Sequence, residues 1–120
     1  MTRINCVPPE ELSRQHLVAE YRELPRVFAL AEKACNAGRK LKAPERYTLG
    51  TGHVLFFYRR LLWCRKRFLA LREEMLRRGY QPTYNDTPDV ALPTDWWQDW
   101  EPDVTALEIN RQRIAERTKQ

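Results

Sequence analysis

The sequence predicts an all-α protein: one domain over residues 1–120, with three main helices, an extended N-terminal arm and irregular loops. Three observations carry this. Apolar residues recur at helical spacing in long stretches, and no segment sustains the two-residue alternation of a strand. The chain has 120 residues, 42% hydrophobic and 31% charged, which is globular composition. That length supports a single modest core and not a second one.

The elements follow in order. Pro8-Pro9 end the extended arm, and Glu10 and Glu11 suit the positive end of a first helix. Leu17, Tyr21, Leu24 and Phe28 step by 4, 3 and 4 and form one apolar stripe. Pro25 interrupts it and removes the bond to the Tyr21 carbonyl. Because the stripe continues, a kink is expected and not a stop. Gly38 is the expected end. Residues 39–52 read as a loop closing on Gly50-Thr51-Gly52. A second, central helix is predicted from about His53 to Arg78, with Gly79 as its cap. Val54, Phe57, Leu61, Cys64, Phe68, Leu71 and Met75 form its stripe, widened by Leu55, Tyr58, Leu62, Leu69 and Leu76. Arg59, Arg60, Lys66, Arg67, Arg77 and Arg78 fall largely outside that stripe. Residues 80–102 combine prolines, acidic residues, Trp96, Trp97 and Trp100, which predicts an irregular loop packed by its tryptophans. A third helix should follow Pro102-Asp103, with Val104, Leu107 and Ile114 inward.

Several function classes are excluded at this stage. No apolar run approaches the roughly 20 residues of a membrane span, so no membrane partner is expected. The N-terminus carries no hydrophobic signal core. Cys6, Cys35 and Cys64 are odd in number and lack metal-ligand spacing, so neither a disulfide framework nor a zinc site is expected. A reducing, cytoplasmic location fits: nucleoid-associated, or within a host cell for a viral source.

The formal charge is +5, unevenly spread. Residues 56–80 carry net +6, residues 81–109 carry net −7, and each flank carries +3. Sixteen of the 21 basic residues are arginine, which favours bidentate phosphate recognition. The expected partner is a polyanion, with a well-solvated basic protein as the alternative.

His16, Glu20 and Glu23 step by 4 and 3 and share a helix face, and Arg22 and Arg26 flank Glu23. A carboxylate between two guanidiniums stays ionised and oriented. The same spacing also describes a surface ion-pair cluster of slight energy. His16 reads either as a general acid–base group or as an idle surface residue, and His53 as a helix cap. The small Thr2 invites removal of Met1. The mature chain would then begin with an α-amine of pKa about 7.7–8.0, far more often unprotonated than a lysine. Arg3 beside it should lower that value further. Such an amine can attack a sugar carbon and form an imine.

Met1-Thr2-Arg3-Ile4-Asn5 and Gln15-His16-Leu17-Val18-Ala19-Glu20-Tyr21-Arg22-Glu23-Leu24-Pro25-Arg26-Val27-Phe28 closely resemble the pyrimidine-dimer DNA glycosylase family, the phage-type endonuclease V. Gly52-His53-Val54, Phe56-Phe57-Tyr58, Arg65-Lys66-Arg67 and Arg77-Arg78-Gly79 extend the resemblance along the central helix. Residues 109–117 extend it to the last helix. The resemblance implies a DNA glycosylase with coupled AP-lyase activity on cyclobutane pyrimidine dimers in duplex DNA. It implies that the amine of Thr2 forms the imine and that Glu23 is the essential carboxylate. Arg3, Arg22, Arg26, Arg113 and Arg117 would contact DNA, with His16 assisting the lyase step. No metal or organic cofactor is implied, and the protein would act as a monomer. The family kinks the duplex and flips out a base opposite the lesion.

Better-known members carry an aromatic, basic C-terminal tail used in lesion recognition, whereas this sequence ends at Thr118-Lys119-Gln120. Trp96, Trp97 or Trp100 supplying a stacking surface in its place is one expectation, and simple loop packing is the other. An AP lyase or glycosylase for another lesion, and a non-catalytic helical DNA-binding protein, are the competing functions.

Overall fold

The computed structural model describes residues 3–38 and 42–118. It contains α1 (Arg14–Glu23), α2 (Pro25–Asn36), α3 (His53–Phe56), α4 (Leu61–Arg77) and α5 (Val104–Thr118), with short 3₁₀ turns at Pro9–Glu11 and Thr94–Trp96. No strand occurs among the described residues, and an isolated bridge joins Arg60 to Trp97. No described helix is long and apolar enough to cross a membrane. The all-α prediction holds.

The first helix begins later than Glu10. The Ser13 hydroxyl accepts the His16 N–H at 3.2 Å and caps α1, while residues 9–11 form a separate turn. Pro25 bends the chain without ending it. Leu24 keeps helical angles (φ −54°, ψ −41°) and still donates to the Glu20 carbonyl at 2.8 Å. The stripe Leu17, Tyr21, Leu24 and Phe28 therefore stays buried across the α1–α2 joint.

The single central helix predicted from His53 to Arg78 is instead two. Residues 57–60 form tight turns, with Phe57 N–H to Val54 O at 3.0 Å and Arg60 N–H to Phe57 O at 2.9 Å. Arg60 leaves the helical region (φ −126°, ψ 42°), its guanidinium donates to Phe56 O and lies 3.9 Å from the Phe56 ring centroid. The Trp63 N–H is taken by Gln98 O, so the 97–98 backbone wedges against the break. Gly52 enables α3 to start at all. Its φ of +87° is left-handed, and a Cβ there would sit 2.9 Å from Pro44 Cγ.

The stripe of α4 also sits differently from expectation. Leu61, Cys64, Phe68, Leu71 and Met75 are buried, but so are Arg67 and Glu74. Leu62, Leu69 and Leu76, expected to widen the stripe, lie on the outer side. Arg67 turns inward because a buried carboxylate, Glu20, meets it there at 2.7 Å. Glu74 turns inward to hold Arg78 at 2.6 Å, and Arg78 in turn donates to Leu12 O at 2.8 Å, fastening the arm's end to α4. On α5 the buried positions are Ala106 and Asn110, with Leu107 and Ile114 half-buried against the core. Val104, expected inward, is 70% exposed because it stands at the first turn, beyond the core's edge.

The tryptophans of the acidic loop belong to the core. Trp100 is enclosed by Tyr47, Phe56, Phe57 and Trp63, with ring centroids 5.0–5.8 Å away. Trp97 leans on Phe28 at 5.9 Å, and buried Trp96 lies under the Arg59 guanidinium at 5.0 Å. Trp96 is buried and Trp97 and Trp100 are half-buried against the core, which favours packing over the stacking expectation.

The register of α4 is open to test. Leu71→Ala is expected to cost about 2–5 kcal/mol, as for other buried leucines. Leu69→Ala, two residues away, should cost a small fraction of that. Urea unfolding of the two variants with a common m-value checks it.

Candidate active site

Residues 3–7 run extended and pair with no strand, so their backbone polar groups need side-chain partners. Each comes from a different element. Ile4 donates its N–H to His53 Nε2 at 2.8 Å, and Tyr47 OH donates to Ile4 O at 2.9 Å. Cys6 and Val7 both donate to Asn110 Oδ1, at 2.7 and 3.1 Å, and Arg67 Nη1 donates to Val7 O. Between them, Asn5 Nδ2 donates to Glu20 Oε1 at 2.8 Å. Glu20 is locked by Arg67, through Nε at 2.7 Å and Nη2 at 3.1 Å.

The arm thus reaches the open side of α1. There the Arg3 N–H donates to Glu23 Oε2 at 3.4 Å. A cleft of about 300 Å³ lies between arm, α1 and α5, lined by Arg3, Asn5, His16, Glu20, Glu23 and Arg117. Arg3 Nη1 and His16 Nδ1 are buried without a partner among the described residues. Burial first, and then the neighbouring charges of Arg113 and Arg117, hold the Arg3 guanidinium below its usual pKa. Three cations brought this close favour an anion among them.

The sequence-expected residues divide accordingly. Arg3, His16, Glu23 and Arg117 share the cleft, and Arg113 stands near enough to act on Arg3. Thr2 lies outside the described residues. Arg22 and Arg26 are exposed and do not pair with Glu23. Their side chains project from α1 and α2 to solvent, and the Arg3 amide takes the place expected for them at the carboxylate. Glu20, expected on the same surface face, is 1% exposed. His53 is not a cap: Gly52 occupies that position, and the buried imidazole bridges Ile4 N–H and, at 2.8 Å, Thr48 O.

The acidic segment has a partner of its own. Asp95 holds Arg59 at 2.9 Å, Asp86 holds Arg65 at 2.9 Å, and Asp99 holds Lys66 at 2.6 Å. The strongly basic α4 region is therefore largely engaged internally. Among the described residues, Arg3 on the arm, Arg22 on α1, Arg26 on α2 and Arg117 on α5 have no such pairing, whereas Arg111 holds Glu11 at 2.8 Å and Arg113 lies 3.8 Å from Glu116.

A small helical chain that gathers arginines around an open carboxylate is built to act on a polyanion, with an ionisable group at the point of contact. The family model described as pyrimidine dimer DNA glycosylase matches residues 1–88, well over half of the chain. The chain belongs to that family and is a DNA-repair glycosylase, acting on damaged DNA. Helix α5, with Asn110, Arg113 and Arg117, lies beyond the matched residues.

Reading from the sequence missed Asn5, Tyr47, Arg67, Asn110 and the role of His53. A signal existed for two of them. Arg67 falls on the Cys64–Phe68–Leu71 stripe, and Asn110 falls between Leu107 and Ile114. A polar residue at a core position requires a buried partner.

His53 gives the site a pH dependence. Burial lowers its pKa, and the nearby Arg3 charge adds to this against the opposing Thr48 bond. The fold thus holds the neutral ring, whose Nε2 accepts from Ile4. Its stabilising contribution is complete above the unfolded value of about 6.5 and is lost as pH falls through the lowered folded value. Urea titrations below pH about 6.5 should show stability falling more steeply in the wild type than in His53→Gln.

Proposed function

We propose that the protein excises cyclobutane pyrimidine dimers from duplex DNA and then cuts the strand, using the amine of Thr2 exposed by removal of Met1. The amine attacks C1′ of the dimer's 5′ sugar. The glycosidic C–N bond breaks, and the base leaves with its bonding pair and takes up a proton. Opening of the sugar ring gives an imine. Loss of a C2′ proton then expels the 3′ phosphate by β-elimination. Glu23 stabilises the cationic sugar during base loss and carries protons between amine, ring oxygen and C2′. Arg3, Arg113 and Arg117 hold phosphates in the cleft, Arg22 and Arg26 extend that contact along α1 and α2, and His16 assists the elimination. The scheme uses no metal or organic cofactor, and a monomer suffices.

The observation that supports this reading best is the Arg3 N–H on Glu23 Oε2. It sets the carboxylate one residue in sequence from the proposed nucleophile, inside the cleft.

Borohydride trapping tests the reading. Protein lacking Met1 is expected to form a covalent adduct with ultraviolet-irradiated duplex and with abasic duplex, but not with undamaged duplex. Glu23→Gln should bind the irradiated duplex and release no base. An adduct with abasic DNA alone would restrict the activity to the lyase step, and no adduct would leave a binding protein.

Salt dependence tests the interface. Each phosphate neutralised contributes about −0.9 to the slope of log K against log salt. Arg117→Ala should flatten that slope by about 1. Arg59→Ala and Arg65→Ala, whose guanidiniums already hold Asp95 and Asp86, should leave it unchanged. Fluorescence anisotropy with an abasic-analogue duplex, over about 50–200 mM salt, reads both.

A further inference from the structure

We propose that Asn110 is a positioning residue for this reaction, setting the register of the arm over Glu23 and tying it to the phosphate-holding face of α5. The inference rests on the reading that the Thr2 amine is the nucleophile. Asn110 is fully buried, on the inner face of α5 between buried Ala106 and half-buried Ile114. Its Oδ1 grips two consecutive N–H groups of the arm, and its Nδ2 donates to Asn5 Oδ1 at 2.8 Å. Asn5 passes the polarity on to Glu20, and Arg67 closes the chain.

The direction of every bond in this chain is forced. The arm N–H groups can only donate, and so can Arg67. Ionised Glu20 can only accept. Asn5 must therefore turn its amide nitrogen to Glu20 and its oxygen to Asn110. Asn110 must turn its nitrogen to Asn5 and its oxygen to the arm. The charge on Glu20 thus decides, through two amides, that Cys6 and Val7 are held by their N–H groups.

This matters for chemistry because an extended chain advances about 3.3 Å per residue. A slip of one residue at Cys6 would carry the chain's start past Glu23, and even 1 Å of misplacement can cost about a hundredfold in rate. Asn110, Arg113 and Arg117 step by 3 and 4 along α5 and share a face. The helix proposed to hold phosphates is thus the one that holds the arm, so DNA contact and nucleophile placement refer to a single rigid element.

The test uses the full chain without Met1. Asn110→Ala should bind an abasic-analogue duplex with a Kd within about threefold of wild type, since Asn110 touches no cleft surface, while single-turnover trapping and base release fall about a hundredfold. Asn110→Asp places a second acceptor-only group against Asn5 Oδ1 and should fall at least as far. Asn110→Asp keeps the oxygen that accepts from Cys6 and Val7 and loses only the donor to Asn5. Where Asn110→Ala loses its native circular dichroism, Asn110→Asp decides, by its loss of trapping set against its Kd. Trapping by these variants at the wild-type rate, or loss of DNA binding in step with trapping, overturns the proposal. A wild type that releases base but gives no adduct overturns the amine reading itself, and this proposal with it.

Discussion

An extended arm with no neighbouring strand sets the terms for the rest of the molecule. Residues 4–7 are buried, and five of their backbone groups are satisfied by side chains from four places: Tyr47, His53, Arg67 and Asn110. A buried polar group left unpaired costs about 1–3 kcal/mol. Five together approach the whole stability of a small domain. The arm is thus ordered only when α3, α4, α5 and the loop before α3 are all in place. What resembles a loose terminus is the most long-range structure in the chain, with bonds spanning 43 to 104 residues of sequence.

Charge follows the same economy. A net of +5 suggests a generally basic surface, yet the strongest basic segment is matched by the strongest acidic one. Asp86, Asp95 and Asp99 lie along α4 and engage Arg65, Arg59 and Lys66. Exposed pairs of this kind add little stability. Their larger effect is on the field, since they quiet one side of the molecule. On the cleft side the charges of Arg113 and Arg117 act on Arg3, so an anion bound among them relieves that repulsion.

Features encoded by local spacing were legible in the sequence. The Leu17–Phe28 stripe, the bend at Pro25 and the helix after Asp103 follow from periodicity and from proline's missing N–H. The break at residues 57–60 was hidden because apolar spacing runs through it unchanged. Only the packing of Phe56 under Arg60, and the approach of residues 97–98, reveal it. Tertiary pairing was likewise invisible to spacing. Glu20 and Glu23 look alike on a helical wheel, and nothing near Glu20 in sequence announces Arg67, 47 residues away. Resemblance reached further than spacing, bringing Arg3, His16, Glu23 and Arg117 into one site. It did not reveal that Arg22 and Arg26 would leave Glu23 to the Arg3 amide.

The two carboxylates of α1 show how position is turned into role. They stand one turn apart on one helix. Glu20 is buried and meets a bidentate arginine and an amide, so both oxygens are committed. Breaking such a buried pair costs about 3–5 kcal/mol, because the remaining charge is stranded. A group so held is suited to define geometry and unsuited to exchange protons. Glu23 accepts one long bond from a backbone amide and otherwise lines the cleft, where its remaining oxygen is uncommitted. Placing the fixed carboxylate directly beneath the free one also shortens the path of any error. The residue that orders the arm and the residue proposed to act with it move together on one rigid helix, so their separation is set by helix geometry and not by a loop.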